Sequence, residues 1–409
     1  MNETMHICLA IHDETGKYTK YAAVTMLSLL ENTRRPVHFH ILCDDSIGQD
    51  QKAKLGDMLH PYPAEVTYHL VDVSDLAAAK ESYQRITIGT MFRLHLFDAL
   101  KDVDTDRVIQ IDCDLIVHTD IAALWDMDLQ GKIVAGCVDN TPSRKIIIEK
   151  KIVTEDEYIN AGVLVWDLKA IRELGIDFYK QSNDFFRRVP TVRLPDEEAV
   201  NVIFKGKIAH LDNRYNYMSV WTRITEERID HKIYHFAADV PRYSDSFMVD
   251  RLFRQMLANT PWWTYDFAQK LELAKLHRKY NKEKIITCLH AALKNRSHKI
   301  FWGIGGEIHP FIMNCDILFL KDGDLFVDSN PATWGKIHMG LKVVSPKKLV
   351  DMDLQDTSII STIFRYQEVK KQLEKIKLRE NIDFFDGKTL LDDLLMAKHF
   401  GERVSPWDV

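Results

Sequence analysis

Residues 108–117 read Val-Ile-Gln-Ile-Asp-Cys-Asp-Leu-Ile-Val, an apolar, β-branched run that carries two acids. Side chains alternate across a strand, so Asp112 and Asp114 are expected on one side and Cys113 on the other. Two carboxylates this close repel unless a cation joins them. A hard divalent ion, Mn²⁺ or Mg²⁺, meets that need with one or two carboxylates, diphosphate oxygens and water. A lone Asp-X-Asp is more often a pair of solvated acids at a strand end, so its weight depends on its surroundings.

On both sides of this run, short apolar segments alternate with amphipathic ones. HICLAIHD, VHFHILCDD, EVTYHLVDV, IVAGCVDN and NAGVLVWDL read as strands, and Tyr21 to Leu30 reads as a helix between two of them. The expected fold is α/β with a mainly parallel sheet. Near Pro261-Trp262-Trp263 the pattern gives way to a basic helical stretch from Lys270 to Lys299, with nine Lys/Arg against Glu272 and Glu283. A second α/β rhythm follows, with KIFWGIGG, DLFVDSNPATWG, LKVVSPKKL and TSIISTIF before a helix near Gln367 to Lys377. Three segments are therefore expected: a catalytic domain over 1–265, a basic helical linker over 266–298 and a smaller domain over 299–409.

With 46% hydrophobic and 28% charged residues in 409, the chain is globular and long enough for two cores. A formal charge of -6 gives no overall signal for binding a polyanion, so nucleic acid is not an expected partner. The six cysteines are scattered without a CxxC pair, which favours a reducing compartment. No secretory leader or run of 18 apolar residues is seen, and a cytoplasmic location is expected, with peripheral membrane contact as an extension.

Around its Asp-Cys-Asp motif, over roughly residues 5 to 265, the sequence resembles glycosyltransferase family 8. That resemblance implies a GT-A type nucleotide-sugar-binding sheet and a retaining transfer of galactose or glucose from a UDP-hexose to a glycan or glycolipid hydroxyl. Asp112, Cys113 and Asp114 would lie at the donor, with the two acids holding Mn²⁺ against its diphosphate. In KIYHFAADVPR, His235 would complete the metal site. An imidazole among oxygen ligands favours manganese over magnesium. In LAIHDETGKYTKY, Ala10, Asp13 and Tyr18 take the positions that contact the nucleotide, with Tyr18 stacking on uracil. ITIGTMFRLHLF supplies Arg93, and EYINAGVLVWDL supplies Asn160, Ala161 and Gly162, small residues that let the backbone approach the sugar.

LPDEEAVNVIF resembles the family's Asp-Gln segment, so Asp196 would bind the sugar and Glu197 would lie beneath the anomeric carbon. Glutamate in place of glutamine departs from the pattern, and a charged carboxylate there could stabilise or capture a cationic centre. The same acids also suit an ordinary helix start. A second departure follows His235: the family's Gly and Lys-Pro-Trp are absent, and Arg242 is the candidate replacement for the Lys. These departures also admit a non-catalytic nucleotide-sugar-binding or scaffold protein.

The C-terminal segment resembles a Rossmann-like accessory domain, with Gly303, Gly305 and Gly306 after its first strand and Asp328 after its second. The third fingerprint glycine is missing where His309-Pro310 follows, so a structural, acceptor-binding or partner-binding role is expected rather than a second cofactor site. The basic stretch reads as a solvated connector or as a docking surface for anionic lipid.

Overall fold

The computed structural model describes residues 3–72, 88–139, 158–189, 194–219, 230–237, 241, 248–273, 287, 295–304, 320–321, 323–361, 363 and 366–387. The chain divides into two compact units: Met1–Pro241 with Phe247–Phe267, and Arg242–Ser246 with Ala268–Val409.

In the first unit, β1 (Met5–Ile11), β2 (Val37–Cys43), β3 (Ala64–Leu70), β4 (Arg107–Ile111), β6 (Val134–Val138), β7 (Ile159–Asp167) and β8 (Ile208–Leu211) form a seven-stranded sheet in the order β3-β2-β1-β4-β7-β6-β8. Pairing is parallel except where β7 runs antiparallel to β4 and β6. β7 is apolar along most of its length and buried at every residue but its last, as a central strand covered on both faces must be.

A second sheet, β5 (Leu115–Val117), β10 (Ile233–His235) and β9 (Tyr217–Met218), holds the site together. Alternation along one strand predicted that Asp112 and Asp114 would end it side by side. The structure instead breaks the run: β4 stops at Ile111, Asp112 to Asp114 turn, and β5 starts in the other sheet. Helix Thr19–Asn32 makes this switch possible. The Thr25 hydroxyl lies 2.7 Å from the Cys113 carbonyl and accepts the Leu115 N–H at 3.0 Å. Ser28 Oγ accepts from Val117 N–H at 3.0 Å, and Asn32 Nδ2 donates to the Val117 carbonyl at 3.0 Å. The helix stripe at 25, 28 and 32 thus takes the place of a neighbouring strand for β5. Buried backbone groups left without such partners would each cost about 1–3 kcal/mol.

The second unit holds β11 (His298–Trp302), β12 (Leu325–Val327), β13 (Ile337–His338), β14 (Leu341–Val344), β15 (Thr357–Ser361) and β16 (Phe384–Asp386) in the order β13-β14-β12-β11-β15-β16. All pairs but β13·β14 are parallel, and the parallel strands follow the 3-2-1-4-5 order of doubly wound sheets. Gly303 follows β11 at a φ of 105°, which only glycine adopts readily. The Ile304 N–H donates to Asp328 Oδ2 at 3.2 Å, so this acid closes the turn after β11. Gly305, Gly306 and most of the basic stretch from Lys270 to Lys299 lie outside the described residues.

On one face of the large sheet, four imidazoles of β1, β2 and β3 lie together. His6 Nδ1 stands 2.9 Å from His40 Nε2, and His40 Nδ1 stands 3.0 Å from His69 Nε2. His38 stacks on His40 with ring centroids 4.3 Å apart. Burial and then neighbouring imidazoles push His40 down to about 3, and burial also lowers His6 and His69. His6, His40 and His69 are thereby biased towards the neutral form in the fold, whereas in the unfolded chain each takes a proton below about pH 6.5. Folding stability is therefore present above that pH and is lost as pH falls from about 6.5 towards 3. His40 alone contributes a slope of about 1.4 kcal/mol per pH unit. Chemical denaturation of the parent and of His40→Gln at pH 7.5, 6 and 5 is expected to show a shallower acid loss in the variant. Parallel loss in both would assign the acid sensitivity to other groups.

Candidate active site

The turn between β4 and β5 is pinned from two sides. Asp112 N–H donates to the Gly162 carbonyl of β7 at 2.9 Å, and Phe236 N–H donates to the Asp114 carbonyl at 3.0 Å. The Cys113 thiol points away, 3.3 Å from the Ala10 carbonyl, and burial followed by the flanking acids keeps it protonated. Asp112 and Asp114 thereby converge on the end of β10. His235 Nε2 stands 3.3 Å from Asp112 Oδ2 and 3.4 Å from Asp114 Oδ1.

Arg93, in the segment that follows helix Ile88–Phe92, enters from the other side. Its guanidinium lies 2.5 Å from Asp112 Oδ1 and 2.6 Å from Asp196 Oδ2. Burial opposes a charge on Arg93, but Asp112 and Asp196 outweigh it and hold the side chain cationic. Asp196 and Glu197 open helix Pro195–Ile203, whose first turn is buried. For Asp196, burial prevails over Arg93 and raises the carboxyl above its ordinary range. The half-buried Tyr18 faces the same cluster: burial, then Cys113, Asp114 and Asp112, raises its phenol well above the usual value.

Behind the acids runs a relay of hydrogen bonds with a fixed direction. Backbone N–H groups can only donate, so Gly162 N–H, 2.9 Å from Asn160 Oδ1, fixes which end of that amide accepts. Asn160 Nδ2 then donates to Glu197 Oε2 at 2.8 Å, and Ala161 N–H reaches the same oxygen at 3.2 Å. Asn216 Nδ2 donates to Asn160 Oδ1 at 2.7 Å, which leaves Asn216 Oδ1 to accept from His235 Nδ1–H at 2.7 Å. The His235 tautomer is thereby set, with Nε2 turned to the acids. Nε2 can carry a proton, and burial notwithstanding, Asp114 and Asp112 raise the imidazole to about 10. A cation competes for the same lone pair.

Among the described residues, Asp112, Asp114 and His235 are one of two groups whose side chains could hold a metal ion. The donor set suits one: ligands bound at about 2.1 Å in octahedral geometry stand about 3 Å apart, close to the separations here. A hydrogen-bonded outer partner on the His is the usual accompaniment of a metal ligand.

Not every expected contact takes the form read from the sequence. Both Asp13 oxygens serve its own loop, accepting from Lys17 N–H at 2.9 Å and from the N–H and hydroxyl of Thr19 at 2.7 Å. Gly162 has a further steric duty, because a Cβ there would stand 2.3 Å from His235 Cε1. The anticipated charged carboxylate at Glu197 meets a physical objection. Its side chain is buried, Tyr158 OH lies 2.8 Å from Oε1, and burial followed by the Asp139 charge pushes the acid well above the ordinary carboxylate range. Arg242 lies outside the described residues. Asn216 and Tyr158 went unread because neither belongs to a charged or metal-ligating pattern.

The description "Glycosyl transferase family 8" matches residues 7–240, more than half of the chain. The chain belongs to glycosyltransferase family 8. It is 28% identical over 218 residues to a putative glycosyltransferase of Haemophilus influenzae, covering 53% of this chain and 64% of that protein. It is 28% identical over 207 residues to the lipopolysaccharide 1,2-glucosyltransferase of Escherichia coli, covering 49% and 59%. In both cases the chain spans less than two thirds of the relative's length. Among solved structures, the galactosyltransferase LgtC with donor and acceptor sugar analogues superimposes with a TM-score of 0.54 at 22% identity, covering 65% of this chain and 99% of that one. The first unit thus has the GT-A type fold of family 8.

The relay gives the family 8 site a test that leaves its acids untouched. Asn216→Ala is expected to cost about 1–3 kcal/mol, since it strands the buried His235 Nδ1–H and leaves Asn160 Oδ1 with the Gly162 N–H as its remaining donor. It should also weaken Mn²⁺ binding about 10- to 100-fold, as loss of an outer partner does elsewhere. Calorimetric Mn²⁺ titration of the folded variant checks this, and an unchanged affinity would show that His235 needs no such orientation.

Proposed function

We propose that the chain transfers a hexose, galactose or glucose, from a UDP-sugar to a hydroxyl of a glycan or glycolipid, with retention at the anomeric carbon. The observation that carries this reading is the convergence of Asp112, Asp114 and His235 in a GT-A type sheet, with Arg93 and Asp196 beside them. Asp112, Asp114 and His235 would hold Mn²⁺, which when bound neutralises charge on the leaving diphosphate. One nitrogen among oxygen donors supports manganese over magnesium. Tyr18 and the Ala10 strand end would contact the nucleotide, and Arg93 orients Asp112 and Asp196 through paired contacts.

Glu197 enters the mechanism in a different role from a nucleophile. With both oxygens occupied and a raised proton affinity, it acts as a neutral hydrogen-bonding group that positions Asn160, much as a glutamine of the same shape would. The peptide edge of Asn160, Ala161 and Gly162 then presents a fixed surface to the sugar. Peripheral contact with an anionic membrane through the basic stretch 270–299 would bring the cytoplasmic enzyme to a lipid-linked acceptor.

UDP release from UDP-galactose and UDP-glucose, with Mn²⁺ or with chelator, tests the assignment. Asp112→Asn and Asp114→Asn are each expected to lower Mn²⁺-dependent turnover about 100-fold or more while the chain stays folded. Unchanged turnover in both would remove the acids from the reaction and favour a non-catalytic binding protein.

Glu197→Gln separates the two roles of that residue. A positioning acid predicts turnover within about threefold of the parent, roughly 0.6 kcal/mol in the barrier, while Glu197→Leu falls much further. A large loss in Glu197→Gln would restore the charged carboxylate to the chemistry. For the basic stretch, sedimentation with phosphatidylserine vesicles is expected at low salt and reversed at high salt, over a Debye length that shrinks to about 3 Å at 1 M. No sedimentation at any salt would leave it a connector.

A further inference from the structure

The second metal-competent group lies at the opposite end of the large sheet. His6 of β1 pairs in register with His38 of β2, and His40 stands two residues further along the same strand, so all three rings project from one face. Their ligand nitrogens lie within 4.8 Å of one another. His6 and His38 border an open surface hollow of about 480 Å³, shared with Pro36, Tyr62, Pro63 and Glu65.

We propose that His6, His38 and His40 form a second metal site, for a borderline divalent ion of the zinc class, at the amino end of the large sheet. Three imidazoles without a carboxylate among them suit zinc, nickel or copper better than manganese or magnesium. The structure supplies what a ligating imidazole requires. His40 is 1% exposed and can donate through Nδ1–H to His69 Nε2 at 3.0 Å, which turns its Nε2 lone pair towards His6. That is the outer-partner arrangement typical of metal-bound histidines, with His69 in the orienting place.

The 2.9 Å between His6 Nδ1 and His40 Nε2 is short of the separation, about 3.3 Å, of two nitrogens on one tetrahedral zinc ion. Opening this pair by about 0.4 Å admits the ion, and the hollow leaves room for a water or Glu65 as a fourth ligand. Bound there, the ion would tie β1 to β2 far from the acids of the β4–β5 turn.

The test uses the full, tag-free chain carrying Asp112→Asn and Asp114→Asn, so that zinc cannot be held by the first site. Equilibrium dialysis against ZnCl₂ with elemental analysis is expected to give one zinc per chain. Adding His6→Gln and His38→Gln should weaken binding at least tenfold. The same two histidine changes in the parent chain should leave UDP release unaltered, which separates this site from the proposed transferase activity. Absence of stoichiometric zinc, or equal binding with and without the histidines, overturns the proposal. Should the histidine variants fail to fold, Co²⁺ added to the Asp-substituted chain decides the matter. Intense visible bands of a tetrahedral nitrogen site support it, and the weak spectrum of octahedral Co²⁺ refutes it.

Discussion

Two like charges held within reach of one imidazole set the terms for the first unit. Asp112 and Asp114 would repel strongly in a partly dry site, where Coulomb energies exceed their values in water several-fold. The protein opposes this repulsion with Arg93 on one side and His235 on the other. Much of the surrounding architecture serves to hold those two cations in place. The break between β4 and β5 turns both acids towards β10, helix Thr19–Asn32 completes the hydrogen bonding of the displaced strand, and Asp196 gives Arg93 its second partner.

The relay behind His235 explains how a substitution at a family position can be absorbed. Its direction is fixed by the backbone N–H groups of Ala161 and Gly162, not by the charge of Glu197. Glu197 Oε2 accepts whether the acid is ionised or protonated, and in the protonated form Oε1–H can serve Tyr158 as an amide would. A buried acid that keeps its proton is therefore a close physical relative of glutamine. Asn216 extends the same logic to the imidazole, carrying the orientation of a β7 amide to the end of β10.

The legible part of the fold was the part written in periodicity. β1, β2, β4 and β7 are apolar runs bounded by turn residues, and their reading as strands of a mainly parallel sheet agrees with the structure. Asp112 and Asp114 stood out as paired acids after a β-branched run, whereas His235 could be picked out only through the resemblance to family 8. The β4–β5 break was invisible, since VIQIDCDLIV alternates as one strand would, and only the tertiary partner in helix Thr19–Asn32 reveals where the chain changes sheets. Thr25, Ser28 and Asn32 did carry a trace of it, as polar residues at helical spacing on a helix whose stretch from Tyr21 to Leu30 is otherwise mostly apolar. Gly162 looked like a site for ligand approach, but its missing Cβ makes room first for His235, a contact between residues 73 positions apart that no local pattern encodes.

The two metal-competent groups differ in a way that follows from where they sit. Ligands of open α/β sheets bind beyond the carboxyl ends of the strands, and there the chain places carboxylates and a single imidazole, a donor set that suits a hard divalent ion. Towards the amino ends it clusters imidazoles, with Glu65 at their rim 3.9 Å from His38. From His6 to Ile11, β1 rises about 16 Å at about 3.3 Å per residue. Over that distance two unit charges interact by only about 1 kcal/mol even at an effective dielectric constant of about 20, so charge at one end is felt weakly at the other. Any influence of the histidine end on the acids must therefore pass through the packing of β1 and β2, whose residues are nearly all buried. Packed strands resist such displacement, because interiors at crystal-like density offer little free space. The histidine group is thus placed to change how firmly the sheet holds together while leaving the electrostatics of the acids nearly untouched.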